Sequence, residues 1–227
     1  ELWKSLMVVT PGIAAELARE RGVEVRQVCV ADDVGIDDID HAVGRRGTGA
    51  TIIVEKMAGA AAEMGASVNE VKDIAEHAAA SSASFGVALS SCSPPGRGPI
   101  FDLAASEIEV GVGIHGEPGR KRTSYAPVAD LVDEAVHAIM DHLEPRPESV
   151  LLAFVSGLGA TTLMEQFIAY REVERAVAAA GFGIARRLVG PYVTALDMAG
   201  LLVTLTVLDS EMIELWDAPV HTPALRW

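Results

Sequence analysis

Residues 107–119 read EIEVGVGIHGEPG and set one histidine, His115, among four glycines. A neutral imidazole nitrogen is a nucleophile and a general base near neutral pH, and glycine neighbours let a small molecule reach it. Strand alternation puts Ile108, Val110, Val112 and Ile114 on one face. Glu107, Glu109, Gly111, Gly113 and His115 fall on the other. Glycines beside a histidine weaken a strand, which fits space kept for a ligand close to the backbone. A strand-end histidine held by hydrogen bonds, with glycines at a bulge, fits the same spacing. On spacing alone both readings stay open.

Other glycine runs are weaker. GVGIHG, 111–116, matches GxGxxG in form, but it lies in a strand end and runs into Glu-Pro-Gly instead of opening a helix. No GK[ST] follows a glycine run, so no Walker loop is recognised. GLGATT, 157–162, sits between a strand and a helix and reads as a tight turn rather than an anion cradle. In GRRGTG, 44–49, Arg45 and Arg46 are expected to pair with the local acidic loop. His41, His77, His137 and His142 lack metal-ligand spacing, and no metal site is expected.

The elements that must position His115 alternate between apolar runs and helical patterns, an α/β signature. Strands are expected at Leu6–Thr10, 23–30, 84–91, 107–115, 149–157, 184–190 and 201–208. A helix over 13–21 starts after Pro11 and ends at Gly22, and another over 52–64 closes at Gly65. Ser67 and Glu70 spell a capping box for a helix over 68–80. Val128, Leu131, Val132, Ala135, Ile139 and Leu143 mark one helical face. Further helices are read over 160–181 and 210–216. The Pro- and Gly-rich Ser91–Pro99 suggests a lobe boundary, giving 1–90 and 91–227 as two units.

Bulk properties narrow the partners. Half of the 227 residues are hydrophobic and 22% are charged, which excludes a disordered chain. A formal charge of −14 disfavours nucleic acid and anionic membranes. No apolar run reaches a membrane span and no signal peptide is read, so a cytoplasmic protein is expected. Cys29 and Cys92 read as two buried thiols in a reducing compartment. Glu1 leads straight into a core-like strand, which suggests a fragment or a processed product.

GVGIHGEPG resembles the signature of the substrate-binding subunit of dihydroxyacetone kinases, the DAK1 domain family. GRRGTGATIIVEKMAGAAAEMG (44–65), FVSGLGATTLMEQF (154–167), LVGPYVTALDMAG (188–200) and LWDAPVHTPAL (215–225) resemble further family blocks, in the family's order. The resemblance implies a two-lobed α/β fold like the DegV-type proteins, with mixed sheets flanked by helices. It also implies a C-terminal segment that can return to the first lobe. By the same resemblance His115 holds the carbonyl of a short ketose as a covalent hemiaminal. Gly113 and Gly116 then control approach, and Glu117 orients the imidazole. No cofactor is expected on this chain. ATP with Mg²⁺, or a phosphotransfer relay, belongs to a partner subunit or domain, and a homodimer is expected.

The departures from the family pattern concern the front of the chain. No GSGHEP motif occurs. Aligning the family's TGD-x-x-NFG-x-AAE on Thr10–Glu16 puts Met7 where the family has its catalytic aspartate, and methionine is no base. The expectation is therefore a module with an incomplete first lobe, inactive alone. Its function is expected to be ketose binding for a kinase, or else non-catalytic sensing of dihydroxyacetone. A remnant in which His115 is only structural is the weaker third reading. Asp197 and Asp217 lie in family-like blocks without an assigned role.

Overall fold

The computed structural model describes residues 12–36 and 45–227. The expectations for Leu6–Thr10, Pro11, Met7 and His41 lie outside the described residues. Residues 12–20 are helical (α1), and Gly22 follows with φ +78°, a left-handed conformation that glycine adopts without a Cβ clash. The helices after it are α2 (Ala50–Glu63), α3 (Val68–Ala80), α4 (Val128–Leu143), α5 (Leu163–Ala179) and α6 (Ser210–Asp217). The strands are β1 (Ser82–Ala88), β2 (Glu107–Val110), β3 (Lys121–Ser124), β4 (Val150–Gly157), β5 (Gly183–Val189) and β6 (Gly200–Leu208).

Among the described residues these six strands join one mixed sheet in the order β3-β2-β1-β6-β4-β5, with β4 and β5 parallel and the other neighbours antiparallel. Alternation along the central β4 sends Leu151, Ala153 and Val155 to one face and Leu152 and Phe154 to the other. Both faces are covered, so this strand reads as an almost unbroken apolar run. Val132, Ile139 and Val173 of α4 and α5 pack on the first face, against Phe85 and Val203. Ile53, Met57, Met212 and Trp216 of α2 and α6 pack on the second. A third, smaller cluster of Ala88, Cys92, Val112, Leu158, Met198 and Leu202 fills the ends of β1, β4 and β6.

This α/β arrangement of a mixed sheet between helices is the fold class expected, with particular corrections. The sheet crosses the expected division at 91, because β1 lies between β2 and β6. Ser91–Pro99 is accordingly a turn beyond the end of β1. Residues 23–30 form no strand, although Val28 and Val30 pack against the α2–α6 core. Pairing starts later, at Asp32–Val34. There Ser84 N–H donates to the Asp32 carbonyl (2.7 Å) and Val34 N–H to the Ser84 carbonyl (2.9 Å). The reason is an open edge: β2 pairs with β1 only at Val87 and Ala88, which leaves the backbone of Ser84 free on that side. Cys92 is buried as expected, but Cys29, on the unpaired stretch, is exposed. The strand β3 was not foreseen, because KRTS is polar and exposed apart from Thr123.

Capping shows how local and distant chemistry combine. Ser67 and Thr162 form capping boxes with Glu70 and Glu165 at α3 and α5. The α2 terminus has no side-chain cap at Gly49. Instead the buried Asp32 carboxylate accepts Thr48 N–H (2.6 Å), Ala50 N–H (2.8 Å), the Thr48 hydroxyl (3.0 Å) and the Ser84 hydroxyl. An anion here satisfies free helix donors and complements the helix dipole. Asp32→Ala would strand those donors in the core. It should destabilise the fold by about 3–5 kcal/mol in urea unfolding; a loss below about 1 kcal/mol would contradict this role.

Candidate functional site

The chain leaves β2 at Val110 because Gly111 adopts φ +80°. Gly111 N–H donates to the Gly86 carbonyl (2.7 Å), and a Cβ at Gly111 would overlap the Gly35 carbonyl. The strand alternation expected through His115 therefore stops at Gly111. A tight turn follows, closed by Gly113 N–H to the Glu117 carbonyl (3.1 Å) and Gly116 N–H to the Gly113 carbonyl (3.0 Å). Val112 is buried in the third cluster with Ile114 packed partly against it, while the His115 side chain is 52% exposed.

Glu117 spends both carboxylate oxygens on one residue. Oε2 accepts the His115 backbone N–H (3.0 Å) and Oε1 meets His115 Nδ1 (3.1 Å). A carboxylate only accepts, so Nδ1 carries the proton and Nε2 keeps its lone pair. The hydrogen bond to Glu117 raises the imidazole above its ordinary range, while partial burial and the Arg46 charge oppose the rise. Burial pushes the Glu117 carboxyl up, but the His115 hydrogen bond and backbone N–H donors outweigh it and hold the group at about 2.

Glycine is required where the turn is tightest. A Cβ on Gly113 would overlap Glu117 Oε2 and come within 2.7 Å of Arg46 Nη1. Gly116, at φ +80°, lies against Cys92 and Ile100. Arg46 reaches the turn from the segment before α2, with Nη2 donating to the Gly111 carbonyl (2.9 Å) and pairing with Asp33 (2.6 Å). Burial pushes the Asp33 carboxyl up to about 6 despite that guanidinium.

The fold thus brings His115, Gly113, Gly116 and Glu117 together and adds Arg46, which the sequence had tied only to the acidic loop. That pairing is present, since Asp33 belongs to the loop, whereas Arg45 meets the His142 ring (2.9 Å). Asp197 steadies the turn beside Cys92 by accepting Ser93 N–H (2.6 Å). Asp217, the last residue of α6, pairs with Arg186 of β5. GLGATT is a turn with internal partners: Gly159 has φ +126°, and Thr161 Oγ1 both donates to and accepts from Gly200. Among the described residues no three His, Cys, Asp or Glu side chains gather as metal ligands, and no helix is long and apolar enough to cross a membrane.

Residues 8–224 match the Dak1 domain model. The chain is 38% identical over 239 residues to the dihydroxyacetone-binding subunit DhaK of the PEP-dependent dihydroxyacetone kinase of Escherichia coli K12, covering 94% of this chain and 67% of that protein. It is 37% identical over 220 residues to the L-erythrulose 1-kinase of Mycolicibacterium smegmatis, covering 95% of this chain and 38% of that one. Among solved structures it resembles the dihydroxyacetone kinase operon co-activator DhaQ, with a TM-score of 0.85 and 28% identity over 92% of this chain and 65% of that one. The chain thus spans about two thirds, or less, of the length of these relatives.

The His115–Glu117 pair stabilises the fold within a defined pH window. The Glu117 share is full above the ordinary carboxyl value of 4.5 and is lost as pH falls through about 2. The His115 share is full below the ordinary 6.5 and is lost as pH rises through its raised folded value. The stability gap between wild type and Glu117→Gln should therefore be widest between 4.5 and 6.5. By NMR titration the His115 ring of that variant should lose its proton at lower pH than in wild type. An unchanged titration would show that Glu117 does not hold the imidazole.

Proposed function

The chain belongs to the Dak1 domain family, and on that premise we propose that it is the ketose-binding component of a dihydroxyacetone-type kinase, with His115 as covalent anchor. One observation carries the reading: Glu117 commits both oxygens to His115 and leaves Nε2 with a lone pair at an exposed turn walled by glycine. Nε2 adds to the carbonyl carbon of the sugar and the π electrons pass to oxygen, which takes up a proton. The Nδ1 proton is released past Glu117 to solvent, so imidazole and ketone give a neutral hemiaminal with no net proton exchanged. Glycerol, lacking a carbonyl, is not captured.

Gly113 makes room for Glu117 and Arg46, and Gly116 lets the turn close on Cys92 and Ile100, so both hold the imidazole in position. The substrate class is the short ketoses with a hydroxymethyl ketone end, a unit that dihydroxyacetone and erythrulose share. Both words occur in the names of relatives. The name of the Escherichia coli relative also separates a sugar-binding subunit from its kinase. On that pattern ATP with Mg²⁺, or a phosphotransfer relay, is supplied by a partner domain or subunit, and this chain alone transfers no phosphoryl group. A homodimer in the cytoplasm completes the proposal.

The likeness to the co-activator DhaQ favours a second reading, a ligand-binding sensor without turnover. Met7 at the position of the family's aspartate points the same way.

The test is carbon NMR with dihydroxyacetone carrying ¹³C at its carbonyl. A hemiaminal-type resonance should appear with wild type and be absent from His115→Ala. Gly113→Ala should lower capture at least about tenfold, because its methyl displaces Glu117. Capture should fall as pH drops through the raised His115 value, where Nε2 also becomes protonated. Identical free-ketone spectra for wild type and His115→Ala would refute the covalent anchor. Adding an ATP-bearing kinase partner separates the two readings, since phosphorylated sugar supports the kinase component and capture without product supports the sensor.

A further inference from the structure

Arg46 lies far from His115 in sequence, yet it fastens the histidine turn. Its Nη2 donates to the Gly111 carbonyl at the start of the turn (2.9 Å), and Nη1 points toward the Pro118 carbonyl at its end (3.4 Å). Behind it stands Asp33, fully buried and at 2.6 Å from Nη2. Asp33 is fixed in turn by Gly35 N–H (2.7 Å), and Gly35 itself packs on the Gly111 backbone. Over the α-carbon of Gly113, Arg46 Nη1 and Glu117 Oε2 share one small space. Among the described residues the guanidinium Nε is buried without a hydrogen-bond partner.

We infer that Arg46 is a positioning residue for His115, pinning both ends of the 111–118 turn from its anchor on Asp33 and setting a positive charge opposite Glu117. The inference rests on the proposed role of His115 and adds the group that keeps its nucleophile usable. Glu117 alone would make the imidazole more basic, and a protonated ring has no lone pair to offer. Partial burial opposes that rise, and the Arg46 charge adds to the opposition. Among the described residues the charged groups that act on the imidazole are Glu117 on its own turn and Arg46 from the segment before α2. Cys92, on the loop after β1, has its thiol raised by burial, by Asp197 on the loop after β5 and by Glu117. Of these only Arg46 carries a fixed positive charge.

The experiment reads the histidine directly and needs no sugar. The His115 ring is titrated by nitrogen-detected NMR in wild type, Arg46→Gln and Arg46→Lys, with amide exchange followed at Gly113 and His115. In Arg46→Gln the midpoint should move to higher pH and amide exchange should quicken. Arg46→Lys should return the midpoint towards wild type by restoring the charge, while exchange stays fast because an ammonium lacks the two-pronged geometry. A midpoint that does not move in Arg46→Gln overturns the inference. If Arg46→Gln does not fold, Asp33→Asn decides, since it keeps the guanidinium but releases its anchor. Faster exchange of the two amides then supports the pin and unchanged exchange overturns it. A parallel ketose-capture measurement keeps the two claims apart: a midpoint shift without capture in wild type sinks the covalent reading and leaves the pin standing.

Discussion

Two adjacent carboxylates, Asp32 and Asp33, are withdrawn from water almost completely, at 1% and 0% exposure. A buried carboxylate costs several kcal/mol unless donors replace its hydration, so wherever these two lie the chain must bring donors to them. Asp32 gathers the α2 terminus and Ser84 of β1. Asp33 gathers Gly35 and Arg46, and through Arg46 the turn that carries His115. The helix start, the middle of the sheet and the histidine turn therefore share one anchor. The two carboxylates take different partners, which is how an acidic dipeptide outside any regular element determines where α2 and the turn sit.

The site itself is built from restrictions on space. Gly111 turns the chain out of β2, Gly113 makes room for a carboxylate and Gly116 closes the turn over Cys92. Gly111 ends β2, and the turn that follows rests on the third apolar cluster, where Val112 and Leu158 are buried. A rigid base under an exposed imidazole is what a reacting nitrogen requires, since orientation is established before the substrate arrives.

Much of this was legible in the residues, in proportion to how local the signals are. The Ser67–Glu70 capping box, the 3.6-residue stripe of α4 and the apolar run of β4 each depend on neighbours within a few positions, and each element formed where it was read. The His115–Glu117 pair was likewise visible, being two residues apart. What stayed hidden depends on distant chain segments. The cap of α2 comes from Asp32, and VEVRQVCV has a strand-like pattern but finds no open edge. Polar KRTS becomes β3 only because β2 offers it a ladder. Arg46 looked like a partner for the acidic loop, which it is. Its second attachment, to Gly111, required the fold.

The claim at the centre of this account is that the Nε2 lone pair left free by Glu117 forms a bond to a carbonyl carbon. A crystal structure of the protein soaked in dihydroxyacetone at neutral pH tests it most directly. The account predicts continuous electron density from His115 Nε2 to the central carbon of the sugar, tetrahedral at that carbon, with the His115 backbone N–H still on Glu117 Oε2. Sugar bound elsewhere, or held near His115 with a planar carbonyl and a gap of van der Waals length, would contradict it.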